Sequence, residues 1–148
     1  MAVPSRILTL DSNVMIAALK KDEPQSDQCA ELLQKIPIEF LLSEPNIIYL
    51  EVCGALARRV GSEVAAEARK ELDRMISPDR LAQCDKSFCL SAYQLCQEYE
   101  VYAIDALYLK TALDNRAILV SLDRRDFVDR INSKQSMIEA YHPSQFPY

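Results

Sequence analysis

Apolar residues recur along this chain in two rhythms, and each rhythm predicts a different kind of element. Near the start, ILTL is a short unbroken apolar run, which predicts a strand over Ile7 to Leu10 that ends at Asp11. A short helix follows through Val14, Ile16 and Leu19 and stops before Asp22-Glu23-Pro24. Ser26 is placed to cap a second helix carrying Cys29, Leu32, Leu33 and Ile36 at helical spacing, and Phe40 to Leu42 reads as a brief buried strand. Ser43 is expected to open a third helix with Pro45 in its first turn. Along it Ile47, Ile48, Glu51, Cys53 and Ala55 run to Arg58 and Arg59, which sets Glu51 on one face with Ile47, Ile48 and Ala55.

From Ser62 a fourth helix places Val64, Ala68, Leu72, Met75 and Ile76 on one stripe and ends at Pro78, and Leu81 to Cys84 forms a weaker strand pattern. Asp85 can cap a fifth helix carrying Phe88, Cys89, Ala92, Leu95, Cys96 and Tyr99; a sixth spans Ile104 to Asn115 with Asp105 in its first turn. Ala117 to Leu122 is a continuous β-rich apolar run of the kind covered on both faces, and it ends at Asp123 just as the first strand ends at Asp11. A short helix through Phe127 and Ile131 and an edge strand over Met137 to Tyr141 complete the pattern. Strands alternating with helices predict right-handed crossovers and a parallel sheet. In such sheets ligands bind beyond the carboxyl ends of the strands.

With 148 residues, no repeat and no Gly/Ser linker, a single domain over residues 1–148 is expected. No run approaches a membrane span, and the start MAVPSRILTLD lacks the apolar stretch and cleavage site of a signal peptide, so a soluble, cytoplasmic protein is expected. The five cysteines form no C-x-x-C pair and mostly occupy apolar helical positions, which predicts buried reduced thiols. Zinc lacks ligands, because His142 is the only histidine. Gly54 and Gly61 are the only glycines, so neither a P-loop nor a dinucleotide fingerprint is possible. A net charge of −5 argues against a basic nucleic-acid-binding surface and leaves room for an enzyme that recruits an anionic substrate through bound metal.

The chemistry concentrates in four acids set within apolar segments: Asp11, Glu51, Asp105 and Asp123. An acid in a core-like segment is costly to keep ionised, and two carboxylates about 4 Å apart repel by roughly 4 kcal/mol at an effective dielectric near 20. Either some of the acids protonate or a shared divalent cation enters; oxygen ligands favour Mg2+ or Mn2+, which polarise a phosphodiester and activate water. Asp11 and Asp123 are then the first candidates for direct ligands, with Glu51 and Asp105 ligating or orienting the water. Asn13 and Ser121 stand where they can orient neighbouring carboxylates, Asp126 can assist or replace Asp123, and Arg58, Arg59, Arg124 and Arg125 are candidate phosphate contacts. Structural roles compete: Asp11 and Asp123 could cap helices and Asp105 could answer a helix dipole, whereas Glu51, mid-helix on an apolar face, resists that explanation. Asp22, Glu23, Asp114 and Asp129 read as exposed.

DSNVMIAAL, EVCGALARR, DALYLKTAL and LVSLDRRDF, in that order, with a closing HPSQF like a terminal Pro-x-x-Phe, together resemble the PIN domain of metal-dependent ribonucleases. The resemblance implies a three-layer α/β/α sandwich with a central parallel sheet and an Mg2+- or Mn2+-dependent endoribonuclease site. It maps the family's acids onto Asp11, Glu51, Asp105 and Asp123, with metal ligands among Asp11, Asp105 and Asp123. Asn13 falls at the family's Asn/Ser/Thr position, Ser121 at a frequent Thr, and Asp126 at a further frequent acid. A chain of this size resembles most the toxin of a VapBC-type toxin–antitoxin pair, which typically forms a homodimer and is inhibited by an antitoxin covering the cleft. The alternatives are a housekeeping RNA-processing nuclease or a non-catalytic PIN-like module that binds RNA or protein. A haloacid dehalogenase phosphatase expects a second aspartate where Asn13 stands, and so lacks its general acid.

Overall fold

The computed structural model describes residues 6–148, so the first five residues of the start MAVPSRILTLD, read above as lacking a signal peptide, lie outside the described residues. Strand β1 (Arg6–Leu10) pairs in parallel with β2 (Phe40–Leu42) on one side and β5 (Ile118–Val120) on the other, and β6 (Ala140–Tyr141) adds to β5. The order of this four-stranded sheet is β2-β1-β5-β6. Leu8 stands beside Leu42 and Ile118, and Leu10 beside Val120. Leu8, Thr9 and Leu10 in β1 and Leu119 and Val120 in β5 are all fully buried, although successive residues point to opposite faces. Both faces of the central strands are therefore covered, and their sequences show no polar alternation.

Seven helices supply the cover: α1 (Ser12–Leu19), α2 (Ser26–Gln34), α3 (Ile47–Arg59), α4 (Ser62–Met75), α5 (Lys86–Tyr99), α6 (Ala103–Asn115) and α7 (Asp129–Asn132). Helix α6 packs on β1 and β5 while α1 packs against α2 and α3, giving the three-layer α/β/α sandwich. Helix α6 buries Ala106, Leu107, Tyr108, Leu109, Thr111 and Ala112, nearly its whole circumference, because it also packs against α5. Helix α4 instead buries the single stripe Ala65, Ala68, Leu72 and Met75 and packs on α3. Among the described residues no helix is long and apolar enough to cross a membrane.

Several expected elements are redrawn by tertiary pairing. The third helix does not open at Ser43: Glu44 and Pro45 form strand β3, which pairs in parallel with β4 (Leu81–Ala82), and the helix begins at Ile47. Asn46 holds this junction, donating its backbone N–H to the Ala82 carbonyl at 2.8 Å and accepting from the Cys84 N–H at 3.2 Å. Ser26 is the first helical residue of α2, not its cap, whereas Asp85 caps α5 as expected by accepting from the Phe88 N–H at 2.9 Å. The segment through Phe127 enters as a π-helical turn over Arg124–Val128 before α7. The five thiols are free, yet only Cys29 is buried and Cys89 is exposed, because α5 keeps a solvent-facing side at Cys89. Glu23 is half-buried by its contact with Lys20, while Asp22, Asp114 and Asp129 are exposed.

Leu119 lies in β5, between β1 and β6, with no exposed surface. Leu119→Ala is expected to lower stability by about 2–5 kcal/mol through lost burial and the cavity left behind, measured as a shift in urea midpoint with the denaturant dependence unchanged.

Candidate functional site

Strands β1 and β5 end side by side, and the chain leaves each of them through an aspartate. Asp11 is 5% exposed, and its backbone N–H still belongs to the sheet, donating to the Val120 carbonyl at 2.9 Å. Asp123 follows β5 and caps the next turn by accepting the Asp126 N–H at 3.0 Å. Between them Ser121, fully buried, is the hub. Its hydroxyl donates to Asp11 Oδ2 at 2.7 Å and accepts from the Asp123 N–H at 3.0 Å and from Asn13 Nδ2 at 3.2 Å. Asn13 Nδ2 also lies 3.3 Å from Asp11 Oδ2, and Asn13 Oδ1 accepts the Leu122 N–H at 3.1 Å. The small polar side chains thus tie the two strand ends together.

The other two acids reach the same edge from helices. Glu51 sits half-buried on α3, and its Oε1 accepts a 2.7 Å hydrogen bond from the Tyr108 hydroxyl of α6. Asp105 lies in the first turn of α6, where an N-terminal acid meets the positive end of the helix dipole. Its carboxyl is nevertheless pushed up to about 7, first by burial and then by the negative charges of Asp11, Asp123, Glu51 and Asp126. Asp11 is pushed up to about 6 by burial, with Glu51 and Asp123 adding to the rise and the Ser121 hydrogen bond opposing it. These acids, separated by up to 112 positions of sequence between Asp11 and Asp123, therefore act on one another electrostatically.

No ion pair to Lys or Arg occurs at Asp11, Glu51, Asp105 or Asp123 among the described residues. Asp126 differs: Arg130 donates to it at 3.1 Å and also to the Glu100 carbonyl, so its charge is already compensated. An all-oxygen donor set without counter-cations fits a hard divalent ion. Among the described residues no group of three or more Asp, Glu, His or Cys side chains is already drawn together tightly enough to hold a metal ion.

The arginines divide. Arg59 lines a cavity of about 300 Å³ with Asn13, Ser12, Ile16, Ala17, Glu23 and Leu122, connected to the acids through Asn13, whose amide reaches Asp11. Arg124 donates to Ser144 Oγ at 3.1 Å and so leans on the C-terminal segment, while Arg58 and Arg125 are exposed. Two residues escaped the sequence reading. Tyr108 looked like one more apolar position of α6, although its spacing of three from Asp105 carried a signal. Glu44 also lies just past a strand, Phe40–Leu42, but it falls inside the helix that the sequence leads one to expect from Ser43.

Removing the Ser121 hydroxyl takes away the stronger of the two hydrogen bonds, from Ser121 and from the Ser12 backbone, that hold the Asp11 pKa down. Ser121→Ala is thus expected to move the Asp11 titration, followed by carboxyl NMR, above its value of about 6. The paired acids also set a pH dependence. In the folded chain Asp11 and Asp105 keep their protons to about 6 and about 7, whereas unfolded they lose them at 3.8. With divalent ions chelated, the stability they contribute is fully present below about pH 4 and is lost as pH rises through these raised values. Melting temperatures measured across that window in EDTA should fall with pH, and excess Mn2+ should flatten the fall by binding the folded form. A profile indifferent to Mn2+ contradicts cation binding here.

A model of the PIN domain family matches residues 8–132 of the chain. No curated protein matches the sequence. Similar solved structures include VapC20 of Mycobacterium tuberculosis, a sarcin-ricin loop cleaving toxin, at 16% identity with TM-score 0.65, covering 80% of this chain and 91% of that one. VapBC2 of Rickettsia felis, bound to a DNA fragment from its promoter, is 15% identical with TM-score 0.63, covering 92% and 98%. FitAcB of Neisseria gonorrhoeae is 17% identical with TM-score 0.62, covering 95% and 99%. At such identities these structures speak for the fold, and the family model speaks for membership: with its strand-end aspartates laced through Ser121 and Asn13, this chain belongs to the PIN domain family.

Proposed function

We propose that this chain is an Mg2+- or Mn2+-dependent endoribonuclease that hydrolyses RNA phosphodiester bonds, and that it is the toxin of a VapBC-type toxin–antitoxin pair. The observation that carries the proposal is the Asp105 carboxyl, whose proton affinity is raised first by burial and then by Asp11, Asp123, Glu51 and Asp126, with no ion pair at the first three of these among the described residues. Acids so arranged at the carboxyl edge of a parallel sheet suit a cation-assisted attack on an anionic ester.

In this reading Asp11, Asp105 and Asp123 would hold the cation, which when bound would supply activation of water and polarisation of the phosphodiester. Glu51, oriented by the Tyr108 hydroxyl on Oε1, accepts the proton of the attacking water through its other oxygen. Ser121 and Asn13 keep Asp11 in one rotamer, and Asp123 is fixed by the N–H of Asp126. Asp126, paired to Arg130, supports the turn. Arg59, beside Asn13, is the foremost phosphate contact; Arg58, Arg124 and Arg125 extend the same role along the RNA. With an overall charge of −5, these local cations and the bound ion draw in the substrate.

The toxin reading draws support from VapC20, which is a toxin, and from similar structures that are toxin–antitoxin complexes. An antitoxin that covers the acidic edge is accordingly the expected protein partner, a homodimer the expected assembly, and the cytoplasm the setting. Exposed Tyr93, Tyr102 and Ile104 on α5 and α6 offer an apolar face suited to self-association.

The purified chain is expected to cut single-stranded RNA with Mg2+ or Mn2+ and to lose cleavage with EDTA, Asp11→Asn or Asp105→Asn. RNA bound but never cut identifies a non-catalytic module instead, and cutting indifferent to both substitutions removes these acids from the chemistry.

A further inference from the structure

A fifth carboxylate is built into the same edge, behind the other four. Glu44 has no exposed surface. Its Oε2 accepts the backbone N–H of Leu10 at 2.9 Å, and its Oε1 is buried without a hydrogen-bond partner among the described residues. The reason lies in the sheet. Strand β2 accompanies β1 as far as Leu42, and the Ser43 N–H still reaches the Leu8 carbonyl at 2.9 Å. The chain then turns away, so that Glu44 and Pro45 pair with β4. In a parallel ladder the N–H of Leu10 faces the same neighbour as the Leu8 carbonyl, and that neighbour has left. The Glu44 side chain supplies the missing acceptor, while Thr9 Oγ1 donates to the Ser43 carbonyl at 2.8 Å across the same departure.

We propose that Glu44 is a positioning residue for the site: by continuing the β1 ladder one rung past the end of β2, it fixes the backbone from which Asp11 turns toward the cation. The inference rests on the reading of Asp11 as a cation ligand. On the opposite side the Asp11 N–H is held by Val120, so the strand end is gripped from both edges. Burial, reinforced by the charge of Asp11, pushes the Glu44 carboxyl well above the usual carboxylate range and so favours an acceptor that adds little to the repulsion among the other four carboxylates. An uncharged acceptor of the same shape does the same work, and that separates positioning from direct ligation.

The experiment compares Mn2+ binding by the full chain and by Glu44→Gln and Glu44→Met, with RNA absent and free Mn2+ read by EPR. Glu44→Gln is expected to bind as the unmodified chain does, and Glu44→Met about 10–100-fold more weakly. Gln as weak as Met overturns the proposal, because the charge itself is then needed on the ion. Met as tight as the unmodified chain overturns it too, because the rung is dispensable. Where Glu44→Met does not fold, amide hydrogen exchange decides in Glu44→Gln: Leu10 and Asp11 protected as in the unmodified chain supports the proposal, and lost protection overturns it. A chain that takes up no Mn2+ overturns both this inference and the nuclease reading, whereas the expected Mn2+ pattern without RNA cleavage overturns the nuclease reading alone.

Discussion

Like charges crowded at the end of a buried sheet are the constraint around which this molecule is organised. A parallel sheet covered on both faces offers polar chemistry one outlet, the ends of its strands, where the backbone leaves the ladder. Here β1 and β5 leave it through Asp11 and Asp123, and α3 and α6 bring Glu51 and Asp105 to join them. Burial first, and mutual repulsion after it, lead Asp11 and Asp105 to hold their protons toward neutral pH.

The repulsion is contained by a frame of neutral hydrogen-bonding groups. The Ser121 hydroxyl serves three partners, the Asn13 amide joins α1 to the end of β5, and the Tyr108 phenol reaches across from α6 to Glu51. Burial and the surrounding acids drive the Tyr108 proton well out of reach of ordinary pH, so the phenol remains a donor. None of these groups adds charge. The frame can therefore fix the carboxylates in place without neutralising them, a task that a lysine or arginine would spoil. Asp126 illustrates the difference, since Arg130 occupies it.

The elements that α6 and β5 build were legible as patterns: ILV inside Ala117 to Leu122, the DALYLKTAL helix, and the Asp85 cap of α5 all stand where the periodicity puts them. The four acids were legible for one reason, that each interrupts an apolar segment. Glu44 interrupts one as well, but the helix expected to open at Ser43 hides it, because Pro45 suits both a helix start and a strand edge. What separates the two is Leu81–Ala82, 37 residues further along, capturing Glu44 and Pro45 in a parallel ladder. No local pattern contains that information.

Local order in this chain thus follows from its own residues: which segments coil or extend, which faces are apolar, and which acids stand out of place. Convergence does not. Whether Asp11 meets Asp123 through Ser121, whether Tyr108 finds Glu51, and whether the Leu10 amide finds Glu44 depend on strand order and on where β2 leaves the sheet. Those are settled by long-range packing, because periodicity records how a segment meets a core but not which other segment it meets there.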